Sequence, residues 1–283
     1  MAGHPWFHSR HPFLAASDVR RWPETHTRMD DWFNLISAGR ELSASAIQEL
    51  HDVGFVVIPG PVPLGGLAQL VKAYDSSVEA ADSDDVGHGS STTRVHDFVN
   101  RGPEFDGLYI HQPVLEACLR IIGQPFRLSN MLARTLRPRT QAQALHVDFK
   151  PDAAGWTMVG FIFMVDDFRS DNGATRFVPG SHEWSTVPGD CMSDPTADYD
   201  RQVQACGPVG SLVVYNGSVW HGHAANSTDM PRRSIQGAYI RREAQSGIDL
   251  PARMRPETLA RISPLAKYVL AVGAASDPTI ISS

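Results

Sequence analysis

The chain has 283 residues, with 25 Lys+Arg against 31 Asp+Glu and a formal net charge of −6. That mild acidity, without a polybasic run, argues against a nucleic-acid partner, because phosphate contact needs a basic footprint. Twelve histidines against three cysteines exclude a disulfide scaffold and thiolate zinc sites, and leave imidazole and carboxylate as the metal ligands.

Cys118, Cys191 and Cys206 are widely spaced and form no CxxC pair, which predicts reduced thiols and a cytoplasmic setting. The first residues lack the apolar core of a signal peptide, and no stretch reaches membrane-spanning length. The 42% hydrophobic content is enough for a substantial core, so a single domain over 1–283 without a membrane partner is expected. The composition says nothing of oligomeric state.

Residues 1–41 carry His4, His8, His11 and several prolines without periodicity, and predict an irregular arm. From Leu42 the pattern sharpens. Ser43 or Ser45 can cap a helix, and Ser45 with Gln48 fits a capping box. Ala46, Ile47, Leu50 and Val53 share one face, and Gly54 ends the helix. Phe55 to Ile58 reads as a short strand stopped by Pro59-Gly60. A second helix carries Leu67, Leu70, Val71, Tyr74 and Val78. Asp82 to Arg94 is polar and reads as a loop that forms a lid. A third helix starts near Pro113, buries Leu115, Cys118, Leu119 and Ile122, and stops at Gly123.

Beyond Gly123 the periodicity switches to strands: Phe126–Leu136, Thr157–Val165, Thr175–Val178, Ser211–Tyr215 and Ser234–Ile240. Thr157–Val165 is almost continuously apolar, as in a strand buried on both faces. Glu257–Leu270 predicts a last helix interrupted by Pro264, and 272–283 a tail. Helices first and strands later predict an α+β, mainly β, fold: a sandwich or barrel packed by N-terminal helices.

The sharpest local feature is Leu145-His146-Val147-Asp148-Phe149. On a strand, side chains two positions apart share a face, so His146 and Asp148 can converge on one metal ion. A second histidine completes the two-His, one-carboxylate set of non-haem Fe(II) oxygenases, which leaves one face of the metal open. His221 follows the strand at 211–215, and Arg232 comes eleven residues later. A guanidinium there can grip the far carboxylate of a dicarboxylic cosubstrate. His223 competes with His221, and Arg233 with Arg232. The step from His221 to Arg232 favours the first of each pair. His182, after the Pro179-Gly180-Ser181 turn, is read as a residue that ties its loop together.

These stretches resemble the phytanoyl-CoA dioxygenase (PhyH) family of Fe(II)- and 2-oxoglutarate-dependent oxygenases. The likeness rests on His146-Val-Asp148-Phe149, Asp171-Asn-Gly-Ala-Thr175-Arg-Phe-Val-Pro-Gly-Ser-His182, and Trp220-His221-Gly-His-Ala-Ala-Asn226 with Pro231-Arg232. It spans roughly Leu42 to Arg241. It implies a double-stranded β-helix (jelly-roll, cupin-like) core with iron between the sheets. It also implies His146, Asp148 and His221 as catalytic iron ligands and Arg232 as the anchor of 2-oxoglutarate. Gln143 and Thr175 match positions that assist the cosubstrate in relatives acting on natural products. His223 stands where many relatives have a small residue, often Ser, that touches the cosubstrate. Phe149, Trp156 and Arg94 are candidates for lining the substrate pocket.

The expected activity is oxidation, chiefly hydroxylation, of an unactivated C–H in a small molecule, with O2 consumed and succinate and CO2 released. The Asp148 carboxylate implies oxidation rather than halogenation, since halogenating relatives carry a small residue there. Two other readings remain open from sequence: a catalytically silent jelly-roll binding protein, and an O2-independent hydrolase or isomerase with a cupin-like site.

Overall fold

The computed structural model describes residues 29–272. The His/Pro-rich start and residues 273–283 of the expected tail lie outside them. Nine α-helices occur among the described residues: α1 Met29–Ser37, α2 Ala44–Val53, α3 Leu64–Glu79, α4 Asp106–Tyr109, α5 Gln112–Ile121, α6 Pro188–Cys191, α7 Leu250–Arg253, α8 Pro256–Arg261 and α9 Pro264–Val269. The strands are β1 Phe55–Pro59, β2 Val86–His88, β3 Thr92–Val95, β4 Phe126–Leu136, β5 Met158–Met164, β6 Thr175–Phe177, β7 Val203–Ala205, β8 Ser211–Asn216, β9 His221–His223 and β10 Arg232–Arg241.

They form two antiparallel sheets. The larger has the order β1-β8-β5-β10-β4-β3-β2, and the smaller β7-β6-β9. Every residue of β5 is buried, because the larger sheet is covered twice. On its outer face Val159, Phe161 and Phe163 join Val56, Leu212, Val214, Ile235 and Tyr239 in one core with the helices. On its inner face Ile162 and Met164 join Val213, Tyr215 and Phe177 in a second core between the sheets. Side chains that alternate along each strand therefore serve two cores, and each buried Phe contributes about 1.5–3 kcal/mol. Two facing antiparallel sheets of this order make a double-stranded β-helix with helices packed on its outer side.

Local signals explain most boundaries. Ser43, not Ser45, caps α2, its Oγ accepting from Ala46 N at 3.1 Å. Gln48 does not close a capping box; its side chain donates to Asp52 at 2.8 Å. Gly54 ends α2 at φ 86, a conformation that favours glycine. Pro264 divides the last helix into α8 and α9, as a residue without an N–H must.

Two expectations need correction. The 1–41 segment is not irregular throughout, because α1 buries Trp32 and Ile36 four positions apart, and Trp32 stacks on Tyr268 of α9 at 6.3 Å. The 82–94 segment is not a free loop. β2 and β3 form a hairpin that extends the larger sheet beside β4. Its strands are short and polar, as suits an edge, so they carry no alternating apolar pattern to read. Its tip, Gly89 and Ser90, accepts hydrogen bonds from Arg137 Nη2. No described helix is long and apolar enough to cross a membrane.

Candidate metal and cosubstrate site

The site lies between the sheets. His146 and Asp148 sit on an irregular segment, not a regular strand, beside β9. Antiparallel bridges join Thr140 to Asn226 and His146 to His221. His146 N donates to His221 O at 3.0 Å, His221 N to His146 O at 2.9 Å, and Asp148 N to Gly217 O at 2.9 Å. Buried Arg176, on β6, ties this segment down from outside by donating to Gln143 O at 2.7 Å and Pro195 O at 3.2 Å.

Ligand atoms of His146, Asp148 and His221 all lie within 4.8 Å of one another. His146 Nδ1 faces Ala144 O at 3.0 Å, and His221 Nδ1 faces Val219 O at 2.9 Å. Each Nδ1–H is thereby committed to a carbonyl, which turns a lone pair on Nε2 toward the centre. Those Nε2 atoms are 3.8 Å and 3.5 Å from the Asp148 oxygens. His221 is 6% exposed and the Asp148 side chain 27%, so the cluster is closed behind and open in front. Two imidazoles and a carboxylate suit a divalent transition metal, iron included.

His223 is not in this cluster. Its Nδ1 faces Ala224 O at 2.9 Å, and its Nε2 bonds Ser91 Oγ at 2.8 Å. Both ring nitrogens are occupied, and the second bond fastens the β2–β3 hairpin over the site.

Arg232 begins β10 and is 1% exposed. Nη2 donates to Gly173 O at 2.8 Å, Nη1 to Ser234 Oγ at 3.3 Å, and the guanidinium lies 4.1 Å from the Phe168 ring centre. Its Nε has no partner, and among the described residues no carboxylate pairs with it. Burial first, then the nearby Arg134 guanidinium, lowers its pKa to about 9. A buried cation without a counter-charge is costly, and an incoming carboxylate would relieve it. Arg233 faces the other way and pairs with Asp166 at 2.6 Å and Asp75 at 2.7 Å.

Other sequence candidates divide. Thr175 is buried on β6 opposite His223, and Gln143 Oε1 accepts from Arg134 Nη2 at 3.0 Å, which brings both to the site. Phe149 follows Asp148 and is 39% exposed. Arg94 lies on β3 in register with Arg134. Trp156 instead packs against His182 at 5.8 Å. His182 is structural, its Nε2 bonding His51 O at 3.1 Å.

Sequence reasoning missed Tyr215 and Arg134. Tyr215 O–H donates to Asp148 Oδ2 at 2.9 Å, while no protein donor among the described residues engages Oδ1. Its ring lies where a Cβ on Gly160 would come within 2.1 Å, so glycine makes the room. The Tyr215→Phe variant is expected to bind Co(II) or Fe(II) about 10–100-fold more weakly, measured by anaerobic titration. An unchanged affinity would deny Tyr215 that role. Arg134 shares its strand with Arg127, Ser129, Asn130 and Thr135, so no local signal singles it out.

Burial lowers the imidazoles of His111, His146 and His223 from 6.5 to about 4. Between those values the unfolded chain binds more protons than the folded one, so stability falls as pH drops from 6.5 toward 4. Calorimetry of the metal-free protein is expected to show a falling Tm over that window, with a slope of at most one proton per histidine. His111→Asn should make it shallower by up to one proton, leaving the part due to His146 and His223.

Facing sheets with a two-imidazole, one-carboxylate cluster between them define a jelly-roll protein with a candidate site for one metal ion. The phytanoyl-CoA dioxygenase (PhyH) family profile matches residues 50–234, and the chain belongs to that family. It is thus an oxidoreductase of the dioxygenase type. The multifunctional dioxygenase prhA of Penicillium brasilianum is 29% identical over 216 residues, 68% of this chain and 70% of that protein. Two other matching fungal dioxygenases are covered over 53% and 57% of their own length. Among solved structures, the epimerase SnoN from nogalamycin biosynthesis, in complex with Fe3+, alpha ketoglutarate and nogalamycin RO, superposes with a TM-score of 0.59. It shares 21% identity over 75% of this chain and 91% of that one. The alpha ketoglutarate-dependent carbocyclase SnoK of the same biosynthesis also gives 0.59, at 20% identity over 79% and 92% of the two chains.

Proposed function

We propose that this single-domain protein is an Fe(II)- and 2-oxoglutarate-dependent dioxygenase that hydroxylates an unactivated C–H of a small molecule, in the reducing cytoplasm that its free cysteines suit. The observation that carries the reading is the His146–Asp148–His221 cluster set between the same sheets as a buried, unpaired Arg232. In this reading His146, Asp148 and His221 hold the iron, and Arg232 holds the distal carboxylate of 2-oxoglutarate. Gln143 and Thr175 assist the cosubstrate. When bound, iron with 2-oxoglutarate and O2 supplies an oxidant able to take hydrogen from a C–H bond, with succinate and CO2 as co-products.

The chain's own residues supply geometry. Backbone carbonyls fix both imidazole tautomers, and Tyr215 holds Asp148 Oδ2, which would leave Oδ1 available to a bound metal. His223, fastened by Ser91, keeps the hairpin closed over the cavity and water out of it; it serves the cosubstrate by that closure rather than as a ligand. Phe149 and Arg94 line the open side toward the substrate. A silent binding protein would tolerate a broken ligand set or a compensated Arg232, and neither is found among the described residues.

Anaerobic addition of 2-oxoglutarate to the Fe(II)-loaded protein is expected to give a weak visible charge-transfer band. Admission of O2 is then expected to release succinate. A protein that gives neither is not this enzyme, and activity without O2 would identify a hydrolase or isomerase instead.

A further inference from the structure

The β2–β3 hairpin is too small to hold its own position. β2 has three residues and β3 four, and a two-stranded hairpin of that size is marginal in water. Its tip is fixed at the site, where Ser91 Oγ bonds His223 Nε2 at 2.8 Å and Gly89 O accepts from Arg137 Nη2 at 2.9 Å. Its base is fixed by charges that the proposed reaction does not use.

Asp85 immediately precedes β2 and is 8% exposed. Each of its carboxylate oxygens has its own guanidinium. Arg101 Nη2 donates to Oδ2 at 2.8 Å, and Arg253 Nη2 to Oδ1 at 2.7 Å. Arg101 reaches further: its Nε donates to His96 O at 3.0 Å, just past β3, and its Nη1 to Ser77 O of α3 at 3.2 Å. One side chain thus ties both feet of the hairpin to each other and to α3. These are charge-assisted bonds, and the Arg101 side chain is only 9% exposed.

Arg253 brings in a distant part of the chain. It ends α7, 168 positions from Asp85. The stretch from α7 to α8 also bonds the residues that follow the hairpin. Asn100 Nδ2 donates to Arg253 O at 3.0 Å, Arg255 N to Asn100 Oδ1 at 3.1 Å, Arg255 Nη2 to Asp97 Oδ2 at 3.4 Å, and Arg261 Nη2 to Asp106 Oδ1 at 2.9 Å. Asp97 has φ 64, a left-handed conformation that persists when its surroundings hold it. α7 and α8 supply none of the ligands or cosubstrate contacts proposed above.

We propose that Asp85 is a positioning residue, through which the α7–α8 strap sets how firmly the β2–β3 hairpin closes over the cavity. This rests on the function proposed above, in which that hairpin shuts the site. Short edge strands open locally as a unit, so a loosened base frees the tip. Ligand affinity then falls by the fraction of molecules that are closed, while turnover at saturation is kept.

Arg253→Gln is the mildest test, because its side chain is 42% exposed and Asp85 keeps Arg101. In the metal-free protein, hydrogen exchange read by mass spectrometry is expected to speed at least about fivefold in peptides covering 86–95, with β5 and β10 unchanged. In succinate release, the KM for 2-oxoglutarate should rise at least about threefold, with kcat and Fe(II) affinity unchanged. Asp85→Asn, which leaves buried Arg101 without its carboxylate, should do both more strongly, and Asp85→Glu should recover part. Thermal melts check folding, and Arg253→Gln decides the matter if Asp85→Asn does not fold. Exchange that rises evenly along the chain, or a lower Tm with hairpin exchange unchanged, makes Asp85 a stability residue and overturns the proposal. Faster hairpin exchange with an unchanged KM overturns it too, since closure would then not bear on the site. A parent protein that neither binds 2-oxoglutarate nor releases succinate sinks the reaction assignment instead, and the exchange result still decides whether the strap holds the hairpin.

Discussion

Asp148→Ala is expected to abolish succinate formation, with turnover down on the order of a thousandfold or more. His146→Ala should do the same. The reason is local. Asp148 is the one carboxylate of the described three-residue cluster, and its two oxygens face His146 Nε2 and His221 Nε2. Removing it leaves two imidazoles, which bind a hard divalent ion weakly, and frees the Tyr215 hydroxyl that now donates to it. Fold should survive, because the Asp148 side chain is partly exposed and its backbone N–H stays paired with Gly217 O. Fe(II) titration, the visible band and product assay should fail together while the metal-free melting curve is kept. A variant that still released succinate at the parent rate would remove the proposed ligand set.

Arg232→Gln should separate function from stability in the opposite sense to most core substitutions. Losing the cationic partner of a buried carboxylate costs about 2–5 kcal/mol, or roughly 30- to several-thousand-fold in 2-oxoglutarate affinity. Yet the same change removes a buried guanidinium that no described carboxylate offsets, whose Nε has no partner. Removing such a charge in favour of a neutral amide is neutral or stabilising when the remaining groups stay satisfied. The expected pattern is a KM for 2-oxoglutarate raised at least about thirtyfold, with an unchanged or higher Tm for the unloaded protein. Arg232→Lys should fall between, as a point charge without the guanidinium fork. A large drop in Tm with unchanged cosubstrate KM would make Arg232 a structural residue and remove the anchor.

Asp148 and Arg232 are legible in the sequence because their spacing to a histidine is short-range. His146 and Asp148 are neighbours but one, and the eleven-residue step from His221 to Arg232 spans one turn and one bridge. The choice of His221 over His223 also follows from spacing, but its cause does not. Only the fold shows that Ser91, 132 positions away in sequence, occupies His223 Nε2. Likewise the opposed orientations of Arg232 and Arg233 are expected from strand alternation, whereas the carboxylates that claim Arg233 lie on α3 and just beyond β5.

The strands of the buried sheet are readable because continuous or alternating apolar residues report directly on burial. β2, β3 and β9 are not, since each is only three or four residues long: β2 and β9 lie at sheet edges, and β3 is paired between β4 and β2. Trp156 shows the limit of composition. An aromatic beside a core strand suggests a pocket wall, and the fold gives it His182 as neighbour.

Periodicity and close spacing along the chain point to a mainly β sandwich or barrel, the proposed ligand triad and the anchoring arginine, because they encode which side chains share a face; the jelly-roll class comes from the resemblance to the PhyH family. Tertiary contacts alone bring Tyr215 to Asp148, close the 82–94 hairpin on His223, and stand Arg94 beside Arg134. Those relations join residues from 40 to 132 positions apart, one by strand pairing and two by the packing of separate segments around the cavity, neither of which a local pattern along the chain reports.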